Sequence, residues 1–374
     1  MKYCYIFFLV CGYVLVSCNQ VANKIESDKS GLLTVKNWEW KPFIKVDSVN
    51  PVLMPSDSLI FFCPIREEKV HWEVKDVFNP AAVSRNDSLF LIYRAEDAVG
   101  KYAGTSRLGL AFSMDGLHFT KFAEPVLYPD HDQMKLYEWE GGCEDPRIVE
   151  NETGKYFLTY TAWDGETARL AIASSDDLRN WDKHGLVFGS LMEGKYHDRW
   201  SKSGAIVCKR SGNQLVAKRI NGKYWMYWGD TDIFIAHSEN MIEWQPLESA
   251  DGTLQPVISP RRGYFDSELV EPGPPPILTE KGIWMIYNSR NHSELGDPEI
   301  PGGTYSAGQI LFDPEDPTKI IARSEKNFFL PENKYEITGQ VGNVCFLEGL
   351  VPLGNKWLLY YGTADSKIAV AVYP

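Results

Sequence analysis

The 374-residue chain is short of positive charge, with 38 lysines and arginines against 50 aspartates and glutamates and a formal net charge of −12. No basic block runs longer than a few residues. Phosphate-backbone binding needs such a block, so nucleic acid is not an expected partner. Metal-ligand spacing is missing as well. Of the seven cysteines, Cys4, Cys11 and Cys18 crowd into the first segment, while Cys63, Cys143, Cys208 and Cys345 stand far apart, without a Cys-x-x-Cys or Cys/His pattern. No metal and no other cofactor is therefore expected, and the four scattered cysteines fit optional disulfides or buried thiols equally well. Long helical periodicity is nearly absent. The apolar run from Tyr5 to Val16 holds twelve residues, too few to cross a bilayer.

What is present begins with an address. One lysine, that apolar run and Leu15-Val16-Ser17-Cys18 make a secretory leader over 1–17, ending in a pattern similar to a bacterial lipobox. Cys18 is the expected lipidation site, and the polar stretch over 18–30 the expected tether to the membrane. The chain is expected outside the cytoplasm, in the periplasm or at the cell surface. The pattern does not say which membrane face carries it, and oligomeric state leaves no trace.

The body, 31–374, is rich in aromatics, which make up 13% of the chain, and it repeats. Five aromatic-apolar runs end in Tyr93, Tyr160, Tyr227, Tyr287 and Tyr360, spaced 67, 67, 60 and 73 residues apart. A second marker, Ser followed six residues later by Phe or Trp, recurs at Ser113/Phe119, Ser175/Trp181 and Ser238/Trp244. Two independent markers with one period indicate repeat architecture. Each repeat reads as short strands of Tyr, Trp, Val and Ile broken by Gly, Pro, Asn and Asp. A period near 67 residues accommodates a four-stranded antiparallel sheet, so the expected fold is an all-β, five-bladed β-propeller.

In a propeller the innermost strands line a funnel, and polar groups just before the tyrosine markers converge there. Asp145 and Glu144 lie side by side, so on a regular extended strand only one of them is central. Glu268 and Glu271 come from the fourth repeat and Asp365 follows the fifth marker, while Arg94 offers a cation to hold hydroxyls or carboxylates. Paired carboxylates facing a concave aromatic site suit acetal hydrolysis, in which an acid protonates the leaving oxygen and a base activates water.

The motifs Phe78-Asn79-Pro80-Ala81, Tyr93-Arg94-Ala95-Glu96-Asp97, Gly142-Cys143-Glu144-Asp145-Pro146-Arg147, Gly273-Pro274-Pro275-Pro276 and Leu311-Phe312-Asp313-Pro314 occur in this order. With Tyr360-Tyr361-Gly362-Thr363-Ala364-Asp365 at the end, the chain from about residue 75 onward resembles glycoside hydrolase family 130. That resemblance implies a five-bladed propeller acting on β-mannoside oligosaccharides with inversion, as a phosphorylase or as a β-1,2-mannosidase. It also implies that Asp145 is the general acid, in the phosphorylases through a mannose hydroxyl. Asn79, Arg94, Arg147 and Asp365 match positions near the mannose, with Tyr305 a weaker match.

Departures from the family pattern bear on the nucleophile. Phosphorylases of the family present a His after the fourth marker and an Arg after the third; here Tyr287 precedes Asn288, and Trp228 precedes Gly229-Asp230. Glu268 and Glu271 stand where the phosphorylases carry a Gly-rich turn, and carboxylates repel a phosphate dianion. The expected reaction is therefore hydrolysis, with Glu268, Glu271 or both as base, roughly 6.5–9.5 Å from the acid. Phosphorolysis served by Lys202, Lys209, Lys218 and Arg219 is the alternative, and a non-catalytic glycan-binding lipoprotein is a second one. The segments 130–140 and 191–200 carry aromatics and charges that could shape the side of the leaving sugar.

Overall fold

The structure, a computed structural model, describes residues 36–374 and two short preceding segments, Glu26–Ser27 and Leu33–Thr34, which pair with each other as a separate small unit. The expected leader, Cys18 and nearly all of the expected tether lie outside the described residues. The body is almost wholly β. Its helices among the described residues are the single turns Lys135–Glu138 and Lys334–Ile337 and the 3-10 segment Leu191–Gly194.

The strands form five antiparallel meanders. The first runs Asp76–Arg85, Ser88–Glu96, Ser106–Ser113 and Thr120–Lys121. The second runs Gly142–Glu150, Tyr156–Trp163, Ala168–Ser175 and Asp182–Leu186. In the third, Ala205–Ile206, Tyr224–Trp228, Phe234–Ser238 and Gln245–Pro246 pair in turn, with an extra hairpin, Cys208–Ser211 and Gln214–Ala217, inserted after the first strand. The fourth places Leu269–Pro272 and Ile277–Thr279 together against Gly282–Arg290, followed by Tyr305–Phe312 and Ile320–Arg323. The fifth, Cys345–Leu353, Lys356–Thr363 and Lys367–Tyr373, takes its fourth strand, Ile44–Lys45, from the start of the body. Trp40, just before that strand, packs on the fourth meander, stacking on Trp284 at 4.1 Å with its backbone bonded to both ends of the Gln309 amide.

Both sequence markers have a physical cause. The five tyrosines sit on the second strand of their meanders and are fully buried, because these sheets are covered on both faces. The Ser…Phe/Trp marker is a turn between third and fourth strands. Ser113 Oγ accepts the N–H of Gly116, and Asp115 Oδ1 accepts those of Leu117 and His118; Ser175 with Asp177 and Ser238 with Asn240 repeat the pattern. The residue at its centre is left-handed in all three copies, Gly116, Leu178 and Met241. The four body cysteines are free and buried, which settles them as core thiols.

Candidate active site

The site is built at breaks in the first strands. In a regular strand successive side chains alternate faces, but three of these strands carry a bulge: Asn79 is the extra residue between Phe78 and Pro80, Asp145 lies between Glu144 and Arg147, and Glu348 between Leu347 and Gly349. Asn79 and Asp145 both adopt φ of +47°, a region that Asn and Asp tolerate better than other side chains. Bulging turns each of them inward. Gly362 permits the close approach, since a Cβ there would lie 2.3 Å from Asn79 Oδ1.

Asp145 is the meeting point. Its Oδ1 accepts from Asn79 Nδ2 at 2.9 Å and from Arg94 Nη1 at 3.3 Å, and its Oδ2 lies 3.4 Å from Lys202 Nζ. Burial alone would raise its pKa, but Lys202, Arg94 and Arg147 together hold it below the usual carboxylate range. Glu144 does not point away as regular alternation predicts. The bulge brings it 2.8 Å from Arg94 Nη2, beside Glu96 at 2.7 Å, so one guanidinium gathers three carboxylates. Asn79 Oδ1 is buried without a protein partner, an acceptor available to a ligand hydroxyl.

Glu271 and Glu268, three residues apart, have different surroundings. Glu271 is buried, accepts a short hydrogen bond from Ser203 Oγ and lies 4.0 Å from Arg147. Burial pushes its carboxyl up to about 7 against the pull of Lys202 and Arg147, with Asp230 adding to the rise. Glu268 is a third exposed and pairs with Arg290 at 2.9 Å on the rim. Tyr305 is at this rim too, under Arg290 and edge-on to Phe346. Asp365 occupies the left-handed turn after Lys356–Thr363; burial lifts its carboxyl to about 7 despite Arg94, and Asp145 contributes to the rise.

Arg147 works from beneath. Its guanidinium is 1% exposed and donates to Asp145 O at 3.0 Å and Pro272 O at 2.8 Å, while Glu348 Oε1 lies 2.8 Å away. It ties together the first strands of the second, fourth and fifth meanders, and so positions the groups that face the opening. Two departures from the family pattern also find structural work. Asn288 clamps the backbone of Leu347 through both ends of its amide, at 3.0 and 2.8 Å, next to Glu348. Asp230 accepts the indole N–H of Trp200 at 2.6 Å.

Lys202, expected only as a phosphate ligand in the alternative reading, and Glu348, not singled out as a site residue, join the cluster. For Glu348 the signal was position, since it lies 12 residues before its tyrosine marker, much as Asn79 and Asp145 lie 14 and 15 before theirs, whereas Lys202 lies 25 before Tyr227. Lys209, Lys218 and Arg219, grouped with Lys202 in the sequence, are exposed and apart from it, on or beyond the inserted hairpin.

A profile of glycoside hydrolase family 130, described as β-1,4-mannooligosaccharide phosphorylase, matches residues 56–374. A 1,2-β-oligomannan phosphorylase of a Thermoanaerobacter species is 32% identical over 334 residues, spanning 87% of this chain and 95% of that protein. Among solved structures, a putative glycosidase from Bacteroides thetaiotaomicron superposes with a TM-score of 0.88 at 47% identity, covering 91% of this chain and 98% of the other. Another, at 44% identity, TM-score 0.88 and coverage of 91% and 96%, comes from work describing hydrolases of this family that target β-1,2-mannosidic linkages in Candida mannan. The chain belongs to glycoside hydrolase family 130.

Proposed function

We propose that this protein is an inverting glycoside hydrolase that cleaves β-1,2-linked mannosides with water, its five meanders being the blades of a five-bladed propeller. The family and the β-1,2-oligomannan specificity of its 32%-identical relative support the substrate class. The observation that carries hydrolysis is Glu271, a buried carboxyl beside Lys202 and Arg147 on the fourth meander, across the cluster from Asp145. A phosphate dianion at this place would meet Asp230 and, once it loses its proton above about pH 7, Glu271, and like charges in a dry site repel by several kcal/mol. Water meets no such barrier.

In this reading Asn79 and Arg94 orient the mannose against Asp145. Asp145 delivers the proton to the leaving oxygen, and Glu271 takes one from water on the opposite face of the ring, giving α-mannose. The positive surroundings of Asp145 favour its ionised form, while Glu271 keeps a proton to about pH 7. Between them the two carboxyls hold one proton near neutrality, and the productive arrangement moves it to Asp145 once substrate covers the site. Glu268, a third exposed and paired with Arg290, serves the rim. Glu271→Gln is expected to lower kcat 100-fold or more, in line with typical general-base contributions of roughly 10²–10⁴, and azide, which needs no base, should restore turnover by displacing the leaving sugar with inversion to give α-mannosyl azide. Glu268→Gln should stay within about tenfold, and the reverse ranking would move the base to Glu268.

Phosphorolysis is the second reading, favoured by Lys202 at the centre of the cluster and by the phosphorylase relatives. We also propose export as a lipoprotein on the strength of Leu15-Val16-Ser17-Cys18. Palmitate labelling of the full chain in a bacterial host, lost in Cys18→Ser, tests it, and unlabelled wild-type protein would refute it.

A further inference from the structure

Beside the Asp145–Lys202 pair the surface opens into a cleft of about 650 Å³, walled by Tyr196, Arg199, Trp200, Asp230 and Phe234. That volume is within the range of pockets that hold small ligands. Its outer wall is Trp200, which is 47% exposed. An indole left this open forgoes burial, yet it is held in place. Its N–H donates to Asp230 Oδ2 at 2.6 Å, and its edge meets Trp163 with ring centres 5.8 Å apart at 70°.

The segment bearing Trp200 is pinned along its length. Lys195 Nζ reaches Glu248 and Gly252 O, both at 2.5 Å; His197 meets the Tyr137 hydroxyl at 3.0 Å; Asp198 pairs with Arg169 at 3.2 Å. The wall of the cleft is tied through its backbone to the segments that carry the reaction cluster. Gly229 N–H donates to Lys202 O at 2.9 Å, and Thr231 O accepts from Val270 at 3.1 Å, so Asp230 is flanked by the neighbours of Lys202 and of Glu271.

We infer that Trp200 is the stacking wall for the second sugar of the substrate, the hexose linked to the one held at Asn79, Arg94 and Asp145, with Asp230 accepting one of its hydroxyls. The inference rests on the proposed mannoside specificity. A pyranose presents a C–H face that packs on an indole and a rim of hydroxyls that needs acceptors, and this cleft supplies both. Because the indole is already fixed, stacking costs little side-chain entropy. A protein partner fits less well, since specific interfaces need roughly 1,000 Å² or more of complementary surface rather than a single small cleft.

The test is titration calorimetry on the Asp145→Asn protein, which removes turnover, with β-1,2-mannobiose and with mannose, in the presence of Trp200, Trp200→Phe or Trp200→Ala. Trp200→Ala is expected to weaken mannobiose about tenfold or more and mannose less than twofold, and Trp200→Phe to recover most of the loss. Unchanged mannobiose affinity overturns the inference. Equal weakening of both sugars does so too, by making Trp200 a support of the whole site, as does a change in sedimentation that marks the indole as a contact between copies. Failure of mannobiose to bind with Trp200 intact would instead overturn the mannoside specificity beneath it.

Discussion

The ammonium of Lys202 lies among Asp145, Glu271 and Glu144, and its own pKa is raised by them although burial pulls it down. It helps to separate the two carboxyls proposed for catalysis, one held ionised and the other protonated to about pH 7. Such a pair carries its single proton from acid conditions up to about pH 7, so kcat/KM should be level over that range and fall above it; a profile still rising at pH 8 contradicts the assignment. Asp365 has a sign that can be checked on stability. Its folded pKa, about 7, is above the ordinary carboxylate value, so the folded state prefers the protonated form and stability is lost as pH rises from about 4 to 7. Asp365→Asn removes that loss. Its melting temperature should match wild type near pH 4 and exceed it at pH 8, by the equivalent of roughly 1 kcal/mol or more, while turnover falls; a variant less stable at pH 8 would show that the carboxylate is needed for folding. Asp145, Glu271, Asn79, Arg94 and Asp365 were legible as candidates because each stands in a short motif at a strand end. The work of Lys202 and Glu348 was not, because it depends on bulges and on neighbouring strands that sequence spacing does not display. The same bulge defeated simple alternation at Glu144.

Elements are joined by a recurring polar clasp. In the first, second and fourth meanders the marker tyrosine donates to a carboxylate in the segment before the first strand, and a cation on the outermost strand pairs with that same carboxylate. The sets are Tyr93–Glu73–Lys121, Tyr160–Glu138–Lys183 and Tyr287–Asp266–Arg323. The fifth meander uses Tyr361, Glu336 and Lys45 in the same way. Glu138 has no exposure, and burial raises its pKa even with Lys183 at 2.6 Å. Leaving such a carboxylate unpaired is costly, so Lys183→Met should destabilise by about 3–5 kcal/mol in urea unfolding. Adding Glu138→Gln should recover a good part of the loss. A single-variant cost under about 1 kcal/mol would mean that the pair behaves like a surface ion pair and does not fasten the outer strand. The tyrosines announced the repeat from the sequence, but their partners were hidden. Glu73 and Asp266 fall in irregular segments and Glu138 in a single helical turn, all of unlike sequence, and only the fold brings them under the rings.

Over the whole molecule, the tyrosine period marked the second strand of each meander, and the serine-initiated turns marked the outer turn of the first three. The junction was not readable. Nothing in Ile44–Lys45 marks it as the outer strand of the last meander, since that pairing joins residues more than 300 positions apart, Ala371 with Lys45 and Val372 with Ile44. Convergence of five first strands is what turns scattered Asn79, Asp145, Lys202, Glu271 and Glu348 into one site, and the choice between water and phosphate belongs to that whole. The most direct test follows the anomeric protons of β-1,2-mannobiose by NMR from the first minutes of reaction with the purified protein, with and without inorganic phosphate. The account predicts free α-mannose, released at a rate indifferent to phosphate. Mannose 1-phosphate formed only when phosphate is present would contradict it, and would make Lys202 a phosphate ligand in place of a partner to Asp145 and Glu271.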